Sequence, residues 1–199
     1  MKNCLLKAML VAMFLVVIAF AWGQSVFYEE PFDTNQGWTL ESNWSIESGA
    51  LKLGWSPSAT DYDLSATSPN IMVPASAGDM VVSQYIDEYA GQGNPPETYE
   101  IIAVAGGAPN VLWSYSQDDD WGVSGGQDLI LSLAPYAGQT IQLKFRSTGT
   151  STFNFNNWYI YNITAYASLN NDLVATSISG NTTPSANSAY PYVISVRNS

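Results

Sequence analysis

Few residues in this chain can do chemistry, and their types decide which reactions are open to it. The 199 residues include no histidine and a single cysteine, Cys4. Without imidazole, Ser-His-Asp and Cys-His catalysis, histidine-bound zinc and His-ligated haem are excluded. There is no P-loop or dinucleotide fingerprint, and Gly106-Gly107 and Gly125-Gly126 read as turns. Glycoside hydrolysis by two carboxylates needs neither His nor Cys. The candidate pairs near strands are Glu97 with Glu100 and Asp87 with Glu88. Neither pair sits in a recognisable motif. The plainer reading is solvated strand-edge charge, which discourages sheet-to-sheet association.

Two further groups could bind without reacting. Asp118-Asp119-Asp120-Trp121 is the densest acidic cluster and could offer oxygen ligands to calcium. Calcium loops space their ligands at alternate residues with a glycine at the turn, whereas these acids are contiguous and Gly122 lies beyond the Trp. A hydrated acidic turn is the competing reading. The aromatics form the second group. Trp55, in Gly54-Trp55-Ser56-Pro57, and Trp121 fall in loop-like sequence, where an exposed ring can stack on the apolar face of a sugar. Ordinary burial competes with that reading. Trp38, Trp44 and Trp158 read as core or sheet-end residues.

The N-terminus sets the compartment. Met1 to Lys7 carries two positive charges, Ala8 to Ala21 is uncharged and apolar, and small residues follow at Ala19, Ala21 and Gly23. This is the pattern of a secretory signal, with the cut expected after Gly23 and a cut after Ala21 as the alternative. The apolar run is short for a bilayer span, and no later stretch could cross a membrane. Cys4 leaves with the leader, so the exported chain folds in an oxidising compartment without a disulfide. Removing Lys2 and Lys7 leaves 4 Lys+Arg against 17 Asp+Glu, a net charge of −13. Nucleic acid and anionic lipid require a positive footprint and are poor partners for such a surface.

Beyond the leader, alternation replaces helical periodicity. Ile141, Leu143 and Phe145 share one face of a strand; so do Leu129, Leu131 and Leu133. Met80, Val82, Gln84 and Ile86 alternate with Val81, Ser83, Tyr85 and Asp87, so both faces of that strand are expected to be covered. Hairpins are expected at Trp44 to Leu53, turned by Glu47-Ser48-Gly49, and at Tyr99 to Tyr115, turned by residues 106–110. Trp158 to Ala167 reads as one long aromatic strand. Many short strands separated by turn residues predict an all-β fold of two packed antiparallel sheets, preceded by an N-terminal signal helix. A boundary is expected near Ser168 to Asn171, with two more strands after it.

Several strings carry a resemblance. Phe27-Tyr28-Glu29-Glu30-Pro31-Phe32-Asp33, Gly37-Trp38, Trp44-Ser45-Ile46, Gly49-Ala50-Leu51 and Phe155-Asn156-Asn157-Trp158-Tyr159-Ile160-Tyr161-Asn162-Ile163 are similar to the MAM-like jelly-roll modules of bacterial surface proteins, the group that includes cleaved-adhesin domains. The resemblance implies a jelly-roll β-sandwich over residues 24–168, with its first and last strands side by side and the Gly-Trp turn closing one end. Related jelly rolls hold calcium between first-strand acids, here Glu30 and Asp33, and an Asp on the last strand. This chain has Tyr161 in place of that Asp. Residues 172–199, through Asp172-Leu173-Val174, Thr176-Ser177-Ile178, Pro184 and Val193 to Asn198, resemble the first two strands of CARDB-like domains. That resemblance implies an incomplete immunoglobulin-like segment, with downstream domains of a longer protein as its partners.

Taken together, these readings point to a non-catalytic extracellular binding or adhesion module of a secreted or surface-anchored bacterial protein. Its expected ligand is a carbohydrate or a protein, with calcium as the one cofactor in view. The alternatives are an accessory domain of a secreted peptidase or glycoside hydrolase, and a structural spacer. The exported protein is expected to begin at Gln24, which intact-mass measurement of secreted material would check; a secreted chain that retains residues 1–23 would sink the leader assignment.

Overall fold

A computed structural model describes residues 24–88, 97–116, 125–168, 173–180 and 192–198. The leader at residues 1–23 and the cluster Asp118, Asp119, Asp120 and Trp121 lie outside the described residues. The chain is all-β. Its strands are β1 (Gln24–Glu30), β2 (Thr39–Leu40), β3 (Trp44–Glu47), β4 (Ala50–Gly54), β5 (Thr60–Thr67), β6 (Ile71–Met72), β7 (Ala77–Glu88), β8 (Thr98–Ala105), β9 (Ala108–Ser116), β10 (Gly125–Ser132), β11 (Thr140–Ser151), β12 (Phe155–Ser168), β13 (Leu173–Gly180) and β14 (Tyr192–Asn198). Among the described residues the only helical pieces are two 3-10 turns, Ala134–Tyr136 and Thr152–Asn154.

Val26–Ala167 form one compact unit. One sheet has the order β10-β7-β12-β4-β3, with β1 also pairing β12. The other has the order β2-β5-β11-β8-β9, with β6 also on β11. The first and last strands of the sandwich are therefore neighbours, and the two layers make a jelly-roll. The C-terminal hairpin belongs to the second unit, where β13 and β14 pair antiparallel.

Strand alternation builds the interior. Ile141, Leu143 and Phe145 of β11 are buried, and so are Met80, Val82 and Ile86 of β7 and Leu131 and Leu133 at the end of β10. Trp158 lies fully buried where the layers meet, with ring centroids 5.4 Å from Tyr99, 5.6 Å from Trp44 and 5.8 Å from Phe145. A buried indole needs an acceptor. Gln84, the polar member of β7's inward row, supplies it, with Trp158 Nε1 donating to Gln84 Oε1 at 2.8 Å.

Both expected hairpins form, with tighter turns than the sequence suggested. Ser48-Gly49 and Gly106-Gly107 alone make the loops, all four residues at positive φ. Two-residue loops of this kind match the twist of the flanking strands. Ala108, Pro109 and Asn110 consequently join β9. β9 is an edge strand, where proline's missing donor is tolerated.

The Gly37-Trp38 turn is closed by polar groups. Asn35 Oδ1 accepts from Gly37 N at 3.0 Å and from Trp38 N at 2.7 Å. The buried Glu30 accepts from Phe32 N at 3.0 Å with one oxygen and from Trp38 Nε1 at 2.9 Å with the other. Trp38 then packs on Phe32 and Phe145, at 5.3 and 5.9 Å. Removing Glu30 would strand two buried donors. Glu30→Ala is expected to cost roughly 3 kcal/mol in urea unfolding, whereas Glu47→Ala, which loses an exposed ion pair with Lys52, should cost less than about 1 kcal/mol. Equal effects of the two substitutions would refute this account of the turn.

Candidate functional site

Strand ends from both sheets meet at one rim of the sandwich. β4 ends and β5 begins there, as do the end of β11 and the start of β12. The link Trp55–Ala59 leaves β4 tied down at Trp55, Pro57 and Ala59. Asn43 Nδ2 donates to Gly54 O at 2.9 Å and to Pro57 O at 2.8 Å. Trp55 N donates to Asn156 O at 3.3 Å. The buried Thr152 hydroxyl donates to Trp55 O at 2.8 Å and accepts from Ala59 N at 2.9 Å. Thr152 N in turn donates to Ala59 O at 2.9 Å.

This rigid frame presents two rings to solvent. Trp55 is 41% exposed and Phe153 is 49% exposed. They meet edge to face, with centroids 5.7 Å apart and planes at 90°. A loop this well bonded gains little stability from exposing two large apolar rings, and such exposure marks contact surfaces. Trp55 was legible in the sequence as a loop aromatic; Phe153 was not. Its signal was its place in Ser151-Thr152-Phe153-Asn154, an aromatic among turn-forming residues.

The candidate carboxylate pairs do not converge. Glu97 is fully buried, and its Oε1 accepts from Asn154 Nδ2 at 2.5 Å and from Ser151 N at 3.4 Å. Its other oxygen lies against Gly149, where an added Cβ would fall 1.2 Å away, so any larger residue there would push the Glu97 carboxylate aside. Glu100 lies on the outward face instead and accepts from Arg146 Nη1 at 3.2 Å. Residues three apart along a strand face opposite sides, so Glu97 and Glu100 cannot flank one glycosidic bond. Asp87 accepts from Asn156 Nδ2 at 3.3 Å.

Both Glu30 oxygens already accept from protein donors, and Asp33 points into solvent. Among the described residues, no group of three or more Asp, Glu, His or Cys could hold an ion. Nor is any helix of the described residues long and apolar enough to cross a membrane.

The frame itself can be tested. Thr152→Val removes both hydroxyl bonds while keeping the shape, and should cost about 1–2 kcal/mol. Amide exchange at Ala59 should quicken with it. An unchanged Ala59 exchange rate would show that the hydroxyl does not hold the link.

Neither a family model nor a curated protein matches the sequence. Solved structures do. The K3 cleaved adhesin domain of Lys-gingipain from Porphyromonas gingivalis superposes with a TM-score of 0.53 at 14% identity, covering 72% of this chain and 100% of that one. The K1 cleaved adhesin domain of the same protein gives a TM-score of 0.45 at 12% identity, covering 71% and 98%. A carbohydrate-binding module described by its specific mannan recognition gives 0.47 at 12% identity, covering 73% and 99%. At these identities the likeness is one of fold: the chain shares the jelly-roll sandwich of the K3 domain.

Proposed function

We propose that Val26–Ala167 are a non-catalytic extracellular binding module of a secreted or surface-anchored bacterial protein, and that the module takes a carbohydrate at Trp55 and Phe153. One observation carries this reading: two large rings held in solvent by a hydrogen-bonded loop. A pyranose offers an apolar C–H face to such rings, and binding by shape and stacking needs no residue to move a proton. The export signal in residues 1–23 supplies the compartment, and within residues 169–199 the similarity to the first strands of CARDB-like domains supports an adhesive context. The charge of the exported chain supports a neutral ligand over an anionic one. Asp118, Asp119 and Asp120, next to Trp121 in the sequence, are the module's calcium ligands in this reading.

A glycan array probed with the exported protein tests the reading. At least one neutral glycan should be retained, and Trp55→Ala or Phe153→Ala should weaken that retention by roughly tenfold or more. Retention that survives both substitutions would remove the rim as the site. A silent array together with capture of a protein ligand dependent on Trp55 would replace the carbohydrate by a protein.

A further inference from the structure

The outer face of the β10-β7-β12-β4-β3 sheet carries a row of tyrosines that the rim reading leaves unused. Tyr159 pairs in register with Tyr85 on one side and with Lys52 on the other. The Tyr85 and Tyr159 rings lie 6.3 Å apart, and Tyr161 continues the row along β12, 5.9 Å from Tyr159 with planes parallel to within 3°. Tyr161 is 46% exposed.

A bulge places it there. β12 pairs Ile160 with Gln84 and then Asn162 with Ser83, so Tyr161 is the extra residue. The parity change returns Ile163 to the core and leaves Tyr161 and Asn162 together on the outside. Bulges re-aim side chains in this way and are concentrated beside sites. Asn162 accepts the Thr164 hydroxyl at 2.9 Å with its amide oxygen, while its NH2 group has no partner among the described residues. A ring face and an amide donor thus stand side by side, which is what a sugar's C–H face and its hydroxyls require.

Charge decides the occupant. Glu47, Asp87 and Asp128 lie on these strands, and Lys52 is the one cation among their described residues, so an anionic chain is repelled. A cationic ligand would have to displace Lys52 from the Tyr159 ring. Lys52 Nζ already sits 5.8 Å from the Tyr159 centroid, and the Glu47 carboxylate 2.7 Å from it holds the ammonium in its charged form. A neutral ligand that offers apolar C–H faces remains.

We infer that Tyr85, Tyr159, Tyr161 and Asn162 form a second carbohydrate site, which takes a neutral oligosaccharide laid across the sheet face independently of Trp55. Affinity electrophoresis through gels containing mannan, xylan or hydroxyethylcellulose, with polygalacturonate as the anionic arm, tests it. The protein should be retarded by at least one neutral polymer and not by polygalacturonate. Tyr159→Ala with Tyr161→Ala should weaken that retention about tenfold, Tyr161→Phe should keep most of it, and Trp55→Ala should leave this component in place. Unchanged melting curves for the tyrosine variants, expected because both rings lie outside the core, would separate lost binding from lost fold. No retardation in any neutral gel, or full retention by the double variant, would overturn the inference. So would displacement by oligolysine without displacement by soluble oligosaccharide. Should Trp55→Ala abolish all retention while the tyrosine variants keep it, the rim site stands and the sheet-face site falls.

Discussion

Trp158 touches both layers of the sandwich, and a buried indole must find an acceptor. Gln84 supplies it from the neighbouring strand and is itself buried. This one contact fixes the register of β12 against β7, because a slip of one residue would turn every side chain to the other face. It also dictates what faces water. With Trp158 and Ile160 inward, Tyr159 and Tyr161 must point outward. Ile163 reaches the core only because β12 gains a residue at Tyr161. The outer aromatic row is therefore tied geometrically to the core.

The two outer faces of the sandwich use that freedom differently. On the β2-β5-β11-β8-β9 sheet, Arg146 grips Asp63 through two bonds of 2.8 and 2.7 Å and reaches Glu100 at 3.2 Å. The guanidinium holds the Asp63 carboxyl below its usual range. Exposed pairs of this kind add little stability, but they keep a sheet face polar and solvated. The opposite face sets three tyrosine rings among its polar and charged positions. The contrast within one domain argues that the tyrosines are there for contact rather than for folding.

Much of this fold was legible because alternation is a local signal. β11 and β7 bury the residues that their sequence alternation assigns to one face, β10 turns Leu131 and the half-buried Leu129 the same way, and even Gln84 takes its place in the inward row. Turn length was less legible: residues 106–110 contain four turn-forming residues, yet two glycines at positive φ suffice and Pro109 fits an edge strand. Long-range capture was invisible. Nothing near Glu30 announces that its carboxylate will hold the Trp38 indole eight residues away; the resemblance alone gave it a role, as a calcium ligand. Glu97 and Glu100 looked like a pair until strand parity separated them. Of the rim, Trp55 was readable, whereas Phe153 gains meaning only when β11 and β12 bring it beside Trp55. The tyrosine row was hidden inside a segment that reads simply as aromatic.

Exposed rings carry a cost that the composition answers. Apolar patches on two surfaces would drive a neutral protein toward self-association. Here 17 acids against 4 basic residues over residues 24–199 keep molecules apart through net repulsion. The same repulsion weakens the folded state, and without a cysteine in residues 24–199 no crosslink within them offsets it. The load falls on bonded junctions instead: Trp158 with Gln84 between strands, Glu30 with Trp38 at the turn, Thr152 with the Trp55 link at the rim. Each of these ties a buried polar group to the position of an aromatic ring. Rigidity, solubility and the display of contact surfaces thus come from one arrangement, in which acids repel between molecules while a few satisfied polar groups fix the rings within each one.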